Sequence, residues 1–206
     1  CSISGANRVS MSATAIQDKL NKIVKVKDTS FDMPMYVVPV PVPTDASVYE
    51  YASEWGLDVV EHGLMYDIRE HRVVFPVVHN GITVDATGRA LGKRIPKWKR
   101  YGNSGLPYVH GCGKVAVVVE DCVSAAVVGG DRHTGVALMG TSMSNEQRQY
   151  LAQFSTAVVA LDPDASKKTL AIAKELRSVV DNVKVLRLQD DIKYRHKKDM
   201  DALNEL

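Results

Sequence analysis

Carboxylates recur in short clusters through the second half of the chain: Glu120-Asp121, Asp162-Pro163-Asp164 and Asp190-Asp191. Acids gathered in one place repel one another, which raises their pKa values and destabilises the fold unless something neutralises them. A divalent cation does so. A hard ion such as Mg²⁺ takes oxygens from one or two carboxylates and completes its shell with water and phosphate. In extended backbone alternate residues point the same way, so the spacing of Asp162 and Asp164 turns two carboxylates toward one ion. Taken singly, Asp121 or Asp164 is equally well explained as the N-cap of a helix that follows a strand. The joint arrangement is what points to a metal.

Strands must bring these acids together. Lys114–Val119 is a Val-rich run ending at Glu120-Asp121, and Thr156–Leu161 ends at Asp162. Val183–Leu188 is followed, past Gln189, by Asp190-Asp191, while a fourth run, Gly135–Met139, ends in Gly140-Thr141-Ser142. Helical patterns separate the runs: a helix through Ala125 to Val128, a capping box of Ser144 and Gln147 opening a helix through Leu151 and Phe154, and an amphipathic stretch from Ser166 to Val180. Near-continuous apolar strands joined by helices predict a parallel sheet covered on both faces. Ligands of such sheets bind beyond the carboxyl ends of the strands, which is where the acids fall.

The upstream half has a different character. Thr44 or Asp45 is placed to cap a short helix through Tyr49, Tyr51 and Trp55. Arg72–Val78, the Asn80-Gly81 pair and Ile82–Asp85 predict a hairpin closed by a type I′ turn, with Pro76 placing its strand at an edge or a bulge. Alternating prolines in Met33–Pro43 predict a linker, or an edge strapped along the main body, after a short helical pattern at Ile16, Leu20, Ile23 and Val24. Five of the eight residues from Lys93 to Arg100 are basic, with Trp98 inside the segment and Tyr101 just after it. Cations neutralise phosphates and aromatic rings stack on unpaired bases, so this stretch is a candidate nucleic-acid contact. A second basic run, Lys193 to Lys198, reads as a solvated helix face.

Composition narrows the classes. The 206 residues carry 26 Lys and Arg against 24 Asp and Glu, a net charge of +2, with 45% hydrophobic residues. This excludes a histone-like chain, a polybasic membrane binder and an acidic disordered chain. No apolar run approaches the roughly 20 residues of a membrane span, and no leader pattern is visible. A first residue of Cys1 rather than Met suggests a processed or excised segment. Three cysteines (Cys1, Cys112 and Cys122) make neither a disulfide framework nor a zinc ribbon, and reduced, buried or incidental thiols are expected. Gly111-Cys112-Gly113-Lys114 is followed by Val115, where a phosphate-binding P-loop needs Ser or Thr. Six scattered histidines read as solvated or loop residues rather than metal ligands.

Val117-Val118-Val119-Glu120 opening a helix, Leu138-Met139-Gly140-Thr141 with Ser144 to Gln147, and Ala160-Leu161-Asp162-Pro163-Asp164 together resemble a Toprim domain. Bacterial-type primases, topoisomerases and some nucleases share that module. Upstream, Arg72–Val77, the Asn-Gly turn, Gly88-Arg89-Ala90-Leu91 and Pro96-Lys97-Trp98 through Asn103-Ser104 resemble the N-terminal lobe of the primase RNA-polymerase domain. The resemblance covers about Tyr49 to Asp191. It implies an α/β fold in which a Toprim-type parallel sheet flanked by helices is preceded by a small α+β primase-type lobe. The corresponding division is 1–44 as N-terminal segment and linker, 45–113 as basic lobe, 114–191 as Toprim domain and 192–206 as tail.

By position, the resemblance makes Glu120 the Toprim glutamate, general base or metal-site acid, and Asp162 and Asp164 the Asp-x-Asp pair that holds Mg²⁺ or Mn²⁺. Asp190 becomes the later metal acid, with Asp191 adjacent where the alignment slips by one. Arg89 and Lys97 match positions that bind nucleotide or nucleic acid, and Lys93, Lys99 and Arg100 extend that basic set. The implied activity is a phage-like DNA primase that joins ribonucleoside triphosphates on a single-stranded DNA template. A replicative helicase would be its partner, the (host) cytoplasm its location, and no membrane would be involved. The chain departs from the pattern at Ser124, where bacterial primases carry an Asp, and around His110, where they carry a Lys. Fewer acids leave the number of bound ions open. Cys1 lacks the three further ligands of the zinc-binding domain of full primases, so no zinc site is expected here. Two rivals use the same fold: a Toprim nuclease with water as nucleophile, and a non-catalytic nucleic-acid-binding or helicase-associated module.

Overall fold

The computed structural model describes residues 31–40, 46–140 and 142–206. The helical pattern at Ile16 to Val24, the capping residues Thr44 and Asp45, Pro41 to Pro43, and Thr141 lie outside the described residues.

The Asn80-Gly81 turn joins two long strands of the first sheet. Both residues have positive φ, 52° and 75°, as the type I′ geometry demands. The sheet consists of β1 (Val37–Pro39), β2 (Met65–Asp67), β3 (Arg72–His79), β4 (Ile82–Ala90) and β5 (Trp98–Arg100), paired antiparallel in that order. The described part of the proline-rich segment is therefore an edge strand and not a free linker. Pro76 does not lie on an edge strand, because β3 is central. Its tolerance comes from β2, which pairs only with Arg72 to Val74, and from a register shift at Val77/Val78. Helix α1 (Ala46–Trp55) precedes β2 and buries Val48 and Ala52.

The second sheet contains β6 (Tyr108–His110), β7 (Val115–Val119), β8 (His133–Ala137), β9 (Thr156–Val159) and β10 (Asn182–Val185). Its spatial order is β10-β9-β7-β8-β6, with β6 antiparallel to β8 and the other pairs parallel. Helices α2 (Cys122–Val128), α3 (Asn145–Leu151) and α4 (Ser166–Leu176) make the crossovers, and α5 (Lys197–Asn204) closes the chain. The expected α/β class with a helix-flanked parallel sheet is what is found. The capping box is also present, with Ser144 Oγ accepting from Gln147 N and Gln147 Oε1 accepting from Ser144 N, both at 3.0 Å.

Strand β7 explains why its sequence is an unbroken Val run. Val117 and Val119 pack into the core shared with Phe75, Leu106 and Tyr108, which precede β7 in the chain. Ala116 and Val118 face the opposite core, with Leu151, Ile172 and Leu176 of the crossover helices. Both faces are dry, so the period-2 alternation of a half-exposed strand is absent. The ladders are nevertheless shorter than the apolar runs. Leu138, Ala160 and Leu186 each donate one backbone bond to the neighbouring strand, at 3.0, 2.9 and 3.0 Å, and then leave the sheet. Hydrophobicity marked burial there, not pairing. For the same reason α4 stops at Leu176, with Val179 and Val180 folded back onto the Leu176 carbonyl. Among the described residues no helix is long and apolar enough to cross a membrane.

Gly135, in the middle of β8, lets α2 lie directly on the sheet: a Cβ there would stand 2.0 Å from the Ala125 carbonyl oxygen. Gly135→Ala is therefore expected to force helix and sheet apart and to cost about 1–3 kcal/mol, read as a fall in the urea midpoint.

Candidate functional site

A cavity of about 590 Å³ opens where the carboxyl ends of β7 and β9 meet the outer strands of the first sheet. Glu120, Asp121, Asp162 and Asp191 line one side, and Arg89, Lys97, Lys99 and Arg100 line the other. Tyr51 and Trp55 from α1 and Trp98 and Tyr194 from β5 and the tail supply aromatic surface.

Each acid arrives by a distinct route. Glu120 is the first residue after β7 and is fixed by Met139 N, which donates to its carbonyl at 2.9 Å. Asp121 is the N-cap of α2 and accepts from Ser124 N at 2.9 Å, so the capping role considered for it is real. Asp162 follows β9 after the buried pair Ala160-Leu161. Asp191 lies in the loop after β10, held by Asp199 of α5, which accepts from Gln189 N and Asp190 N at 2.9 and 3.2 Å. Burial, then the charges of Asp191 and Glu120, push the Asp162 carboxyl up to about 6.

The cluster is not the unpaired set of acids that its spacing suggested. Lys168 Nζ lies 3.3 Å from Glu120 Oε1. Lys193 Nζ lies 3.3 Å from Asp121 Oδ2 and also pairs with Asp191 Oδ2. Lys193 is thus no solvated face residue. Burial works against its charge most strongly, but Asp121 and Asp191 together outweigh it and raise its pKa. Nothing in the sequence near Lys193 or Lys168 set them apart from other surface lysines.

The structure does not bring every expected residue to the cavity. Asp164 is exposed and lines no part of it, because Pro163–Ala165 is a 3₁₀ turn and the alternation of an extended strand does not apply. Asp190 is also exposed, its side chain accepting from Asp191 N at 2.8 Å, and Asp191 takes the wall position instead. Lys93 lies in the exposed loop ahead of β5, away from the lining. Histidines likewise depart from expectation: His79 is buried, its Nε2 donating to the Pro107 carbonyl at 2.8 Å, and His133 is buried in β8.

Much of the basic wall is internally committed. Lys99 pairs with Glu70, which also holds the buried Arg72 guanidinium at 2.8 Å. Arg100 Nη2 meets the fully buried Asp85 at 2.5 Å. Asp85 further accepts from Gly102 N at 2.8 Å and Ser104 N at 3.1 Å, so it shapes the chain beyond β5. Among the described residues Arg89 and Lys97 have no carboxylate partner, and Arg89 stacks over Trp98 with its Cζ 5.8 Å from the ring centre. They are the cations left for an external anion.

Among the described residues no three His, Cys, Asp or Glu side chains stand close enough to cage a metal. The donor chemistry fits a hard ion held by one or two carboxylates with water and phosphate, since the Asp162 side chain has no hydrogen-bond or ion-pair partner among the described residues and is crowded by like charge.

The arrangement is an acid-edged parallel sheet facing a basic antiparallel lobe. No family model matches the chain. A DNA primase of Geobacillus stearothermophilus is 30% identical over 141 residues, and the chain spans only 23% of that relative's length and 59% of its own. A DnaG catalytic core superposes with a TM-score of 0.59 at 16% identity, over 80% of this chain and 74% of that one. A DnaG primase catalytic domain bound to single-stranded DNA gives 0.60 at 17%, over 81% and 75%. The Escherichia coli primase catalytic core gives 0.58 at 18%, over 80% and 74%. The chain has the DnaG catalytic-core fold, with the helix-flanked parallel sheet that the sequence predicts.

The Asp162 carboxylate makes an unfavourable contribution to the metal-free fold. Its folded pKa of about 6 exceeds the ordinary 3.8, so the penalty is absent below pH 3.8, grows between 3.8 and 6, and is constant above. Asp162→Asn in EDTA should therefore be more stable than wild type at pH 7.5, by about 1 kcal/mol once the half-exposed position is discounted for screening. The difference should vanish near pH 3.5, as followed by thermal melts.

Proposed function

We propose that the chain is the catalytic core of a phage-type DNA primase, making short RNA primers on single-stranded DNA by metal-dependent nucleotidyl transfer. The observation that carries this reading is the facing of Glu120 and Asp162 against Arg89 and Lys97 across one cavity. A polyanion and a divalent ion both find their counterparts there. The likeness to a DNA primase and to DnaG cores, one of them bound to single-stranded DNA, supports it.

Glu120 and Asp162 would hold Mg²⁺ or Mn²⁺, with Asp191 beside them. When bound, such an ion neutralises phosphate charge and lowers the pKa of the attacking 3′-hydroxyl. Arg89 and Lys97 hold phosphates of template or nucleotide, and Trp98 offers a stacking face to a base. Glu120 assists deprotonation of the hydroxyl. Asp121, engaged by Ser124 N and Lys193, acts as a cap rather than a base. A replicative helicase as partner and the cytoplasm of a host cell as location follow from the same reading.

With labelled ribonucleotides, single-stranded template and Mg²⁺, wild type should yield short oligoribonucleotides, and Asp162→Ala and Glu120→Ala should lower the yield roughly 100-fold or more while template binding persists. Shortened template without new oligonucleotide would identify a nuclease instead. Lys97→Ala and Arg89→Ala should weaken template binding and each reduce the salt slope of log K by about 1 in a fluorescence-anisotropy titration. Binding lost in these two variants alone, with synthesis absent in all proteins, would identify a binding module.

A further inference from the structure

We propose that Lys193 is a tethered cation standing where a metal ion would otherwise neutralise the acid cluster, so that the site takes one divalent ion and no more. The proposal deepens the metal-dependent reading above and rests on it.

Lys193 is built into the cavity wall. Its amine lies 3.3 Å from Asp121 Oδ2 and pairs with Asp191 Oδ2, bridging two acids that arrive from different strand ends. The side chain is only 16% exposed. Trp55 and Tyr194 place their ring centres 5.8 and 5.9 Å from the amine, which adds cation–π attraction at an already paired site. Ile192–Tyr194 is a 3₁₀ turn capped by the Asp191 carboxylate, and Asp199 anchors the loop before it. The long Lys side chain is therefore ordered by its surroundings.

Oxygen accounting leads to the same place. Asp121 Oδ1 accepts from Ser124 N at 2.9 Å and its Oδ2 faces Lys193. Asp191 Oδ1 accepts from Ser124 Oγ at 3.2 Å and from Lys193 N at 3.3 Å, and its Oδ2 faces the Lys193 amine. All four oxygens are engaged within the protein. Glu120 has one lysine contact, at 3.3 Å, and the side chain of Asp162 has no hydrogen-bond or ion-pair partner among the described residues. Of the four carboxylates lining the cavity, Glu120 and Asp162 are the donors left to receive an ion.

Counting bound Mn²⁺ tests this without reference to catalysis. The full chain at pH 7.5 is titrated with Mn²⁺, and free ion is read from its electron paramagnetic resonance signal. Wild type and Lys193→Arg should bind one ion per chain; Lys193→Met, which frees Asp121 and Asp191, should bind two. Two or more ions on wild type, or none, overturn the proposal. So does a folded Lys193→Met, checked by near-ultraviolet circular dichroism, that binds one ion with affinity within twofold of wild type. If Lys193→Met does not fold, the wild-type count decides. Primer synthesis is scored separately: one ion without primer refutes the function proposed above and leaves the count standing, whereas two ions with primer does the reverse.

Discussion

Like charge at the carboxyl edge of a parallel sheet is the constraint around which this molecule is arranged. Glu120 directly follows β7, Asp162 follows β9 after Ala160-Leu161, and the loop after β10 adds Asp191, so one cavity wall gathers carboxylates that would rather be apart. The protein moderates the repulsion with Lys168 and Lys193 but leaves Asp162 raised to about 6. A fold selected only for stability would place an amide or an apolar residue there. Keeping an uncomfortable carboxylate is intelligible when an external cation completes the balance.

The opposite wall is assembled by partly buried ion pairs whose role is geometric. Arg72 and Lys99 converge on Glu70, and Arg100 on Asp85, which also accepts the amides of Gly102 and Ser104. These contacts set the path of the chain through β5 and beyond. Stability alone does not explain them, because a buried ion pair offsets its desolvation only partly. They leave Arg89 and Lys97 facing the cavity without acidic partners among the described residues. Basic residues adjacent in sequence therefore divide into those that build the wall and those that can meet a ligand.

The near-zero sum of charge concealed this segregation. A net charge of +2 describes a chain with no preference for polyanions, yet the positive and negative groups are sorted onto facing walls. The tail takes part as well. Asp199 of α5 fixes the loop that carries Asp191 and Lys193, so a segment with an unremarkable amphipathic pattern determines the position of two charged side chains in the cavity.

Local chemistry made much of this legible from sequence. The Asn80-Gly81 turn, the Ser144–Gln147 capping box and the Val runs of the parallel sheet each depend on neighbours within a few residues or on burial of both faces, and each stands as expected. Glu120 and Asp162 could be singled out because strand ends converge by rule in such sheets. Tertiary structure decided the rest. Whether Asp164 or Asp190 reaches the cavity depends on a 3₁₀ turn and a loop anchored from α5, neither of which periodicity encodes. Lys193 looked like any surface lysine because its partners, Asp121 and the rings of Trp55 and Tyr194, include groups brought together only when three separate segments close on one another. Sequence determined which groups were available for chemistry; long-range packing determined which of them share a solvent-poor space, where a charge is felt most strongly.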